Sequence, residues 1–267
     1  MDVTLRQVDL HGARYTYAEA GRGDALLLIH GWAGSWENFE PWLPTLARRF
    51  RVIAPDLPGC HGAPPLQGRH DAAGYADFCD ELLHAIDAAP AHVGGLCSGA
   101  SIALEMASRH PDDVRGLLLH TPLFAQATTP FFRRQIRLFA SRPMRPLLTR
   151  MRHLARVTRL YKTMFIDRGR VVPARDAIDQ RNMAMVHPRA ARELAVDLLV
   201  DRFAHVQRWT GPLFIIVPSE DSFVRCDALA TLGLPEGVVH IIEGGGHGWD
   251  EPFLRLQDEI LAKFTSA

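Results

Sequence analysis

Val93-Gly94-Gly95-Leu96-Cys97-Ser98-Gly99-Ala100 is the stretch on which the fold turns. Ala91-His92-Val93 has strand character, and Ser98 to Arg109 has the apolar spacing of a helix. A Gly-x-Cys-x-Gly set between strand and helix has the form of a nucleophile elbow. Its glycines leave room for a strained backbone and a tight strand-to-helix approach, which pushes the central side chain out above a sheet. A cysteine in that place also stands at a helix N-terminus, whose partial positive charge stabilises a thiolate. A buried structural cysteine in a glycine-rich turn is the competing reading, and the residues further out weigh against it.

Asp221 stands four residues beyond the apolar strand Pro212–Val217, in Pro218-Ser219-Glu220-Asp221-Ser222. His247 lies in Gly244-Gly245-Gly246-His247-Gly248, just after a strand ending at Ile242. With Cys97 these give the chain order nucleophile, acid, histidine, and both newcomers follow the C-terminal ends of strands, where open α/β sheets place their sites. His247 can take the thiol proton or pair with the thiolate while Asp221 fixes its tautomer; Glu220, one residue away, competes for the acid role. Acyl transfer also needs donors for an oxyanion. His30-Gly31-Trp32-Ala33-Gly34 follows the apolar run Ala25–Ile29 and offers the Trp32 N–H, and the helix start offers that of Ser98.

The remaining chain fits around this centre. Strand character recurs from Val3 to Glu19 with a turn at His11-Gly12, at Ala25–Ile29, Arg51–Pro55, Arg115–Leu119 and Val238–Ile242. Helical spacing recurs at Trp42–Phe50, Tyr75–Ala89 and Phe253–Phe264. Such alternation predicts an α/β fold, a mostly parallel sheet covered by helices on both faces. Residues 122–208 hold no convincing strand and are punctuated by Pro130, Pro143, Pro146, Pro173 and Pro188. They read as a helical insertion, with 1–121 and 209–267 as the core.

Thirty basic residues balance thirty acidic ones over 267 residues, which argues against binding nucleic acid or a membrane by bulk charge. The insertion departs from this balance. It holds seventeen arginines and Lys162 against six acids, and the rest of the chain carries the opposite excess. No apolar run approaches the roughly 18 residues of a membrane span, and the start lacks a signal-peptide pattern, so a soluble, cytoplasmic protein is expected. Cys60, Cys79, Cys97 and Cys226 form no Cys-x-x-Cys pair and are expected to be free thiols. His61, His70, His84, His92 and His110 lack ligand spacing and read as surface residues; no metal or cofactor is expected.

Together, His30-Gly31-Trp32, Asp56-Leu57-Pro58-Gly59, Gly95-Leu96-Cys97-Ser98-Gly99, Ser219-Glu220-Asp221 and Gly246-His247 resemble the α/β-hydrolase superfamily over nearly the whole chain outside the insertion. The resemblance implies an eight-stranded, mainly parallel sheet with the insertion as cap or lid. Serine is the usual nucleophile, so Cys97 is similar instead to dienelactone hydrolases, polyhydroxyalkanoate synthases and the cysteine-type thioesterase domains of assembly lines. Cys60-His61-Gly62 also departs from the usual continuation of the Asp-Leu-Pro-Gly segment.

Leaving-group chemistry narrows the substrate. A tetrahedral adduct on an alkyl ester expels the thiolate, of pKa about 8.5, more readily than a far more basic alkoxide. A thioester or enol lactone has a comparably good leaving group. The expectation is therefore an acyl-thioesterase or acyltransferase working through acyl-Cys97 on a coenzyme A or acyl-carrier-protein substrate. A hydrolase of activated esters or lactones, resembling dienelactone hydrolases or the capped carboxylesterases that act on carrier-bound esters, is the alternative, and a non-catalytic binding protein on the same scaffold a further one. The basic insertion suits an anionic carrier, with Arg133, Arg134 and Arg137 clustered beside Phe131 and Phe132 on one helix, although a solvated face reads equally well. Phe131, Phe132, Phe139, Met144, Met164 and Phe165 are either the lining of an acyl tunnel or ordinary core.

Overall fold

A computed structural model describes residues 3–144, 160, 164 and 173–266. Its centre is an eight-stranded sheet of β1 (Thr4–Leu10), β2 (Ala13–Ala20), β3 (Asp24–Ile29), β4 (Phe50–Pro55), β5 (Ala91–Leu96), β6 (Val114–His120), β7 (Leu213–Pro218) and β8 (Val239–Ile242). The spatial order is β1-β2-β4-β3-β5-β6-β7-β8. Strands β3 to β8 pair in parallel, and β2 joins β1 and β4 antiparallel. The β1–β2 hairpin turns at His11 and Gly12, both at positive φ, as its two-residue connection demands. β1 is mostly exposed, whereas Leu26, Leu27, Val52, Ile53, Val93, Leu117, Ile215 and Ile216 are wholly buried. Central strands covered on both faces by helices must be apolar throughout, which is why they read as unbroken runs.

The α-helices bounded within the described residues are α1 (Leu43–Leu46), α2 (Ala72–Ala85), α3 (Ser98–Arg109), α4 (Pro130–Ala140), α5 (Pro173–Met185), α6 (Pro188–Asp197), α7 (Phe203–Arg208), α8 (Cys226–Ala230) and α9 (Glu251–Ser266). Asp71 caps α2 by accepting the Gly74 N–H, so that helix begins three residues before Tyr75. The helix expected over Trp42–Phe50 is one turn, because Phe50 already belongs to β4. Helices α4 to α7 all lie between β6 and β7, and no strand occurs there among the described residues. No described helix is long and apolar enough to cross a membrane.

Register sets the site. Ile29 pairs with Gly95 and Leu96 with His120, so the chain leaves β3, β5 and β6 at one level. From β3 the sheet runs one way through β4 and the other way through β5, which makes the β3/β5 boundary the switch point where such sheets bind ligands.

Candidate active site

Cys97 follows β5 directly, with φ 57° and ψ −112°, a conformation that a non-glycine residue holds only when its surroundings enforce it. The flanking glycines are the enforcement. A Cβ on Gly99 would collide with the carbonyl of Ile29, and one on Gly95 with that of Gly99, so helix and strand approach as closely as backbone allows. The Cys97 N–H donates to His120 O over 2.9 Å, fixing the turn against β6. Cys97 is 6% exposed.

His247 stands in the loop after β8 and Asp221 in the loop after β7. Asp221 Oδ2 accepts from His247 Nδ1 at 2.7 Å, and its Oδ1 accepts the N–H groups of Phe223 and Val224 at 2.6 and 2.9 Å. Nδ1 is thus committed to the carboxylate, and Cys97 lies near enough to the imidazole to favour its protonated form. Burial disfavours the charged carboxylate, yet His247 and the two N–H groups outweigh it and hold Asp221 below the usual range. Burial likewise opposes protonation of His247, but Asp221 and Cys97 raise it to about 10. Glu220 is exposed and its N–H donates to Gly245 O; the carboxylate that reaches the histidine belongs to Asp221.

The other thiols differ. Burial pushes Cys60 up to about 12 and raises Cys79 strongly, so both remain protonated. Cys226 is partly exposed, its Sγ 3.8 Å from Ser219 O.

The loop after β3 lies against the elbow: a Cβ on Gly31 would stand 3.5 Å from that of Cys97. Among the described residues no hydrogen bond occupies the main-chain N–H of Trp32 or of Ser98. Buried His30 stitches this loop to the next, with Nδ1 donating to Gly31 O at 2.8 Å and Nε2 accepting the Leu57 N–H at 3.0 Å. Asp56 Oδ1 accepts the Trp36 N–H and Oδ2 accepts from His61 Nδ1. The Cys60-His61-Gly62 departure therefore forms an ordered turn, whose Gly59 carbonyl receives the His187 N–H over 2.7 Å.

Residues between β6 and β7 meet this rim at several points. The indole of Trp32 donates to Ala191 O on α6. Phe132 on α4 stacks on Phe223 with centroids 4.1 Å apart, and Phe223 lies 4.3 Å from the His247 ring. Phe131 turns outward, 51% exposed. Arg133 donates to Ala125 O at 2.8 Å, whereas Arg134 and Arg137 are exposed. Met164 is exposed, and Lys162 and Phe165 lie outside the described residues. Other described arginines of this stretch pair with acids: Arg181 with Glu37, Arg189 with Glu193, and Arg202 with both Glu105 and Asp197.

Sequence reading passed over three residues around the centre. Phe223, two residues past Asp221, carries no motif of its own. His120 ends β6 and is buried; Thr121 Oγ1 donates to its carbonyl and so accepts from its Nδ1, leaving Nε2 unprotonated. Burial, the His247 charge and Arg175 depress it to about 3. His120, Trp42 and Trp249 line a cavity of about 10 Å³, and each has a ring nitrogen without a hydrogen-bond partner among the described residues. A histidine at the end of an apolar strand is a signal the sequence did offer. The third, Arg175, lies on Gly248.

The histidines read as surface residues need correction. His70 is fully buried, its Nε2 accepting the Leu66 N–H, and His61 sits among Asp56 and Glu37. Asp80, His84 and Asp113 bring three ligand-type groups within 4.8 Å of one another, but Asp113 precedes β6, at the N-terminal end of that strand, whereas Cys97 follows the C-terminal end of β5.

A family model of the alpha/beta hydrolase fold matches residues 24–248. Among curated proteins, 118 residues are 33% identical to 2-hydroxymuconate semialdehyde hydrolase of Pseudomonas sp. (strain CF600), covering 43% of this chain and 42% of that one. A stretch of 101 residues is 43% identical to pimeloyl-[acyl-carrier protein] methyl ester esterase of Neisseria meningitidis serogroup B / serotype 15 (strain H44/76), covering 38% and 37%. The chain thus spans about two fifths of the length of these curated relatives. Among solved structures, E-2-(acetamidomethylene)succinate hydrolase superposes over all of both chains with TM-score 0.77 at 22% identity. A bromoperoxidase from Bacillus anthracis does so with TM-score 0.80 at 18% identity. At such identities the likeness is one of fold.

Proposed function

The chain belongs to the alpha/beta hydrolase fold family, and from that premise we propose that it transfers acyl groups through a thioester on Cys97, with His247 as acid and base and Asp221 holding the imidazole. The observation that carries this reading is the set gathered at the strand ends: Asp221 Oδ2 at 2.7 Å from His247 Nδ1, with Cys97 near enough to the imidazole to favour its protonated form.

Because Nδ1 is bound to the carboxylate, Nε2 is the nitrogen that exchanges the proton with sulfur. The Cys97 thiolate attacks the acyl carbonyl carbon, and the Trp32 and Ser98 N–H groups receive the oxyanion. Collapse breaks the bond to the leaving group, which takes the proton from His247. Water or another nucleophile then attacks acyl-Cys97, giving its proton to His247 and releasing the thiolate. Leaving groups whose basicity matches that of a thiolate suit this cycle, so the substrates are acyl thioesters of coenzyme A or a carrier protein. Helices α4 to α7 act as the cap of residues 122–208. Phe132 helps to shape the acyl site through Phe223, and Arg134 and Arg137 offer a face to an anionic carrier. The relative named for an acyl-carrier-protein ester supports a carrier-bound substrate. The same relative is by name a methyl ester esterase, and it favours the second reading in its carboxylesterase form.

Intact mass spectrometry after mixing with acyl-coenzyme A, acyl-carrier protein and aryl esters tests the proposal. An acyl adduct on wild type that is lost in Cys97→Ala supports it; full turnover by Cys97→Ala overturns it.

A further inference from the structure

Gly248, next to the proposed base, is buried and has φ 106°. A Cβ there would fall inside the guanidinium of Arg175, closer than any non-bonded contact, to Nη1, Nη2 and Cζ alike. The head group of Arg175 therefore occupies the space that a side chain at 248 would fill. Its helix α5 belongs to the stretch between β6 and β7, so the cation reaches the catalytic loop from outside the sheet.

Among the described residues the coordination of this cation is incomplete. Its side chain is 22% exposed, and its ion-pair partner is Asp179, one turn along α5, with Nε to Oδ2 at 3.6 Å, beyond hydrogen-bond length. Asp179 itself accepts from Asn38 Nδ2 on the facing loop. Among the described residues neither Nη atom of Arg175 makes a hydrogen bond. A partly buried guanidinium whose terminal donors are unused among the described residues offers them to an acceptor that enters the site. The planar pair of Nη groups matches the two oxygens of a carboxylate.

We propose that Arg175 binds a carboxylate carried on the acyl group, so that the preferred substrates are monoacyl derivatives of short dicarboxylic acids. The inference rests on the acyl-transfer reading for the identity of the reacting bond. Position selects the acyl carboxylate over the other common anion of such substrates. Gly248 adjoins His247, and the phosphates of coenzyme A or a carrier prosthetic group stand at the far end of the pantetheine arm, remote from the thioester sulfur.

The test uses N-acetylcysteamine thioesters, whose leaving group carries no phosphate. The succinyl thioester and its counterpart with the distal carboxyl masked as a methyl ester are compared on wild type, Arg175→Gln and Arg175→Lys, with thermal melts to confirm folding. Wild type is expected to prefer the succinyl group by about tenfold or more in kcat/KM, with the ratio collapsing in Arg175→Gln and partly restored in Arg175→Lys. Calorimetric binding of free succinate gives a readout independent of turnover, and its affinity is expected to fall at least about tenfold in Arg175→Gln. An unchanged ratio, or succinate binding equal in all three proteins, overturns the role of Arg175. Absence of turnover with succinate binding still dependent on Arg175 overturns the acyl-transfer reading alone. Equal weakening of both thioesters reassigns Arg175 to closing the site.

Discussion

Trp32 Nε1 donates to the carbonyl of Ala191 over 2.7 Å, so the loop that carries one proposed oxyanion donor is held by a helix 159 residues further along the chain. Trp32→Phe keeps the ring and removes the bond. Stability is expected to fall by about 1 kcal/mol, and kcat to drop several-fold with a smaller change in KM, because the loss is felt when charge develops on the oxygen. Denaturant melts and steady-state kinetics measure both; an unchanged kcat removes the link.

Gly99 is a steric necessity rather than a flexible point. Gly99→Ala drives a Cβ into Ile29 O on a strand that cannot yield. The expected cost is about 3 kcal/mol or more, seen as a large drop in the melting midpoint or as insoluble protein. A stable, active Gly99→Ala variant would mean that the elbow is looser than described.

Thiol chemistry is expected to be selective. Iodoacetamide at neutral pH should alkylate Cys97 ahead of Cys60 and Cys79, whose burial keeps them protonated. Peptide mapping reads the order directly, and prior alkylation should block acylation. Cys97→Ser should turn thioesters over more slowly while gaining relative activity on simple esters; an unchanged ranking counts against the leaving-group argument.

The raised pKa of His247 gives a pH signature. A histidine of ordinary pKa 6.5 that titrates at about 10 in the folded protein contributes stability that is complete below pH 6.5 and is lost as pH climbs through about 10. The alkaline limb of activity should lie in that upper range and move down in Asp221→Asn, with kcat falling on the order of 10³-fold or more. A limb near 6.5 in wild type would sever His247 from its two partners.

Charge reversal separates carrier docking from internal pairing. Arg134 and Arg137 are exposed, whereas Arg133 is engaged with Ala125 O. Reversing Arg134 and Arg137 should weaken a carrier-bound substrate much more than a short uncharged thioester, and salt should do the same, since exposed charges are screened over about 8–10 Å. Equal losses for both substrates would leave the pair as a solvated face.

The elbow, the two later loops and the alternation of strands were legible because each rests on local sequence: apolar runs, glycines and a helix start. Strand order was not, since the placing of β4 between β2 and β3 depends on pairings such as Ala20 with Val52 that no local pattern encodes. The choice between Glu220 and Asp221 likewise needed the turn that points one carboxylate inward to two N–H donors. The excess of arginine between β6 and β7 suggested an external anion. In the structure part of it is consumed by Glu37 and Glu105 of the sheet-bearing portion, partners no spacing rule identifies.

Those same pairs govern how the molecule comes apart. Arg202, with a side chain only 6% exposed, bridges Glu105 on α3 and Asp197 on α6, and Arg181 reaches Glu37 in the loop after β3. Ion pairs between separate parts of a chain are screened by added salt, whereas the apolar contacts of the sheet are not weakened by it. Raising the ionic strength will therefore loosen α5 to α7 before the strands separate. Amide hydrogens of those helices will exchange with solvent at a salt concentration at which β3, β5 and β6 still resist it.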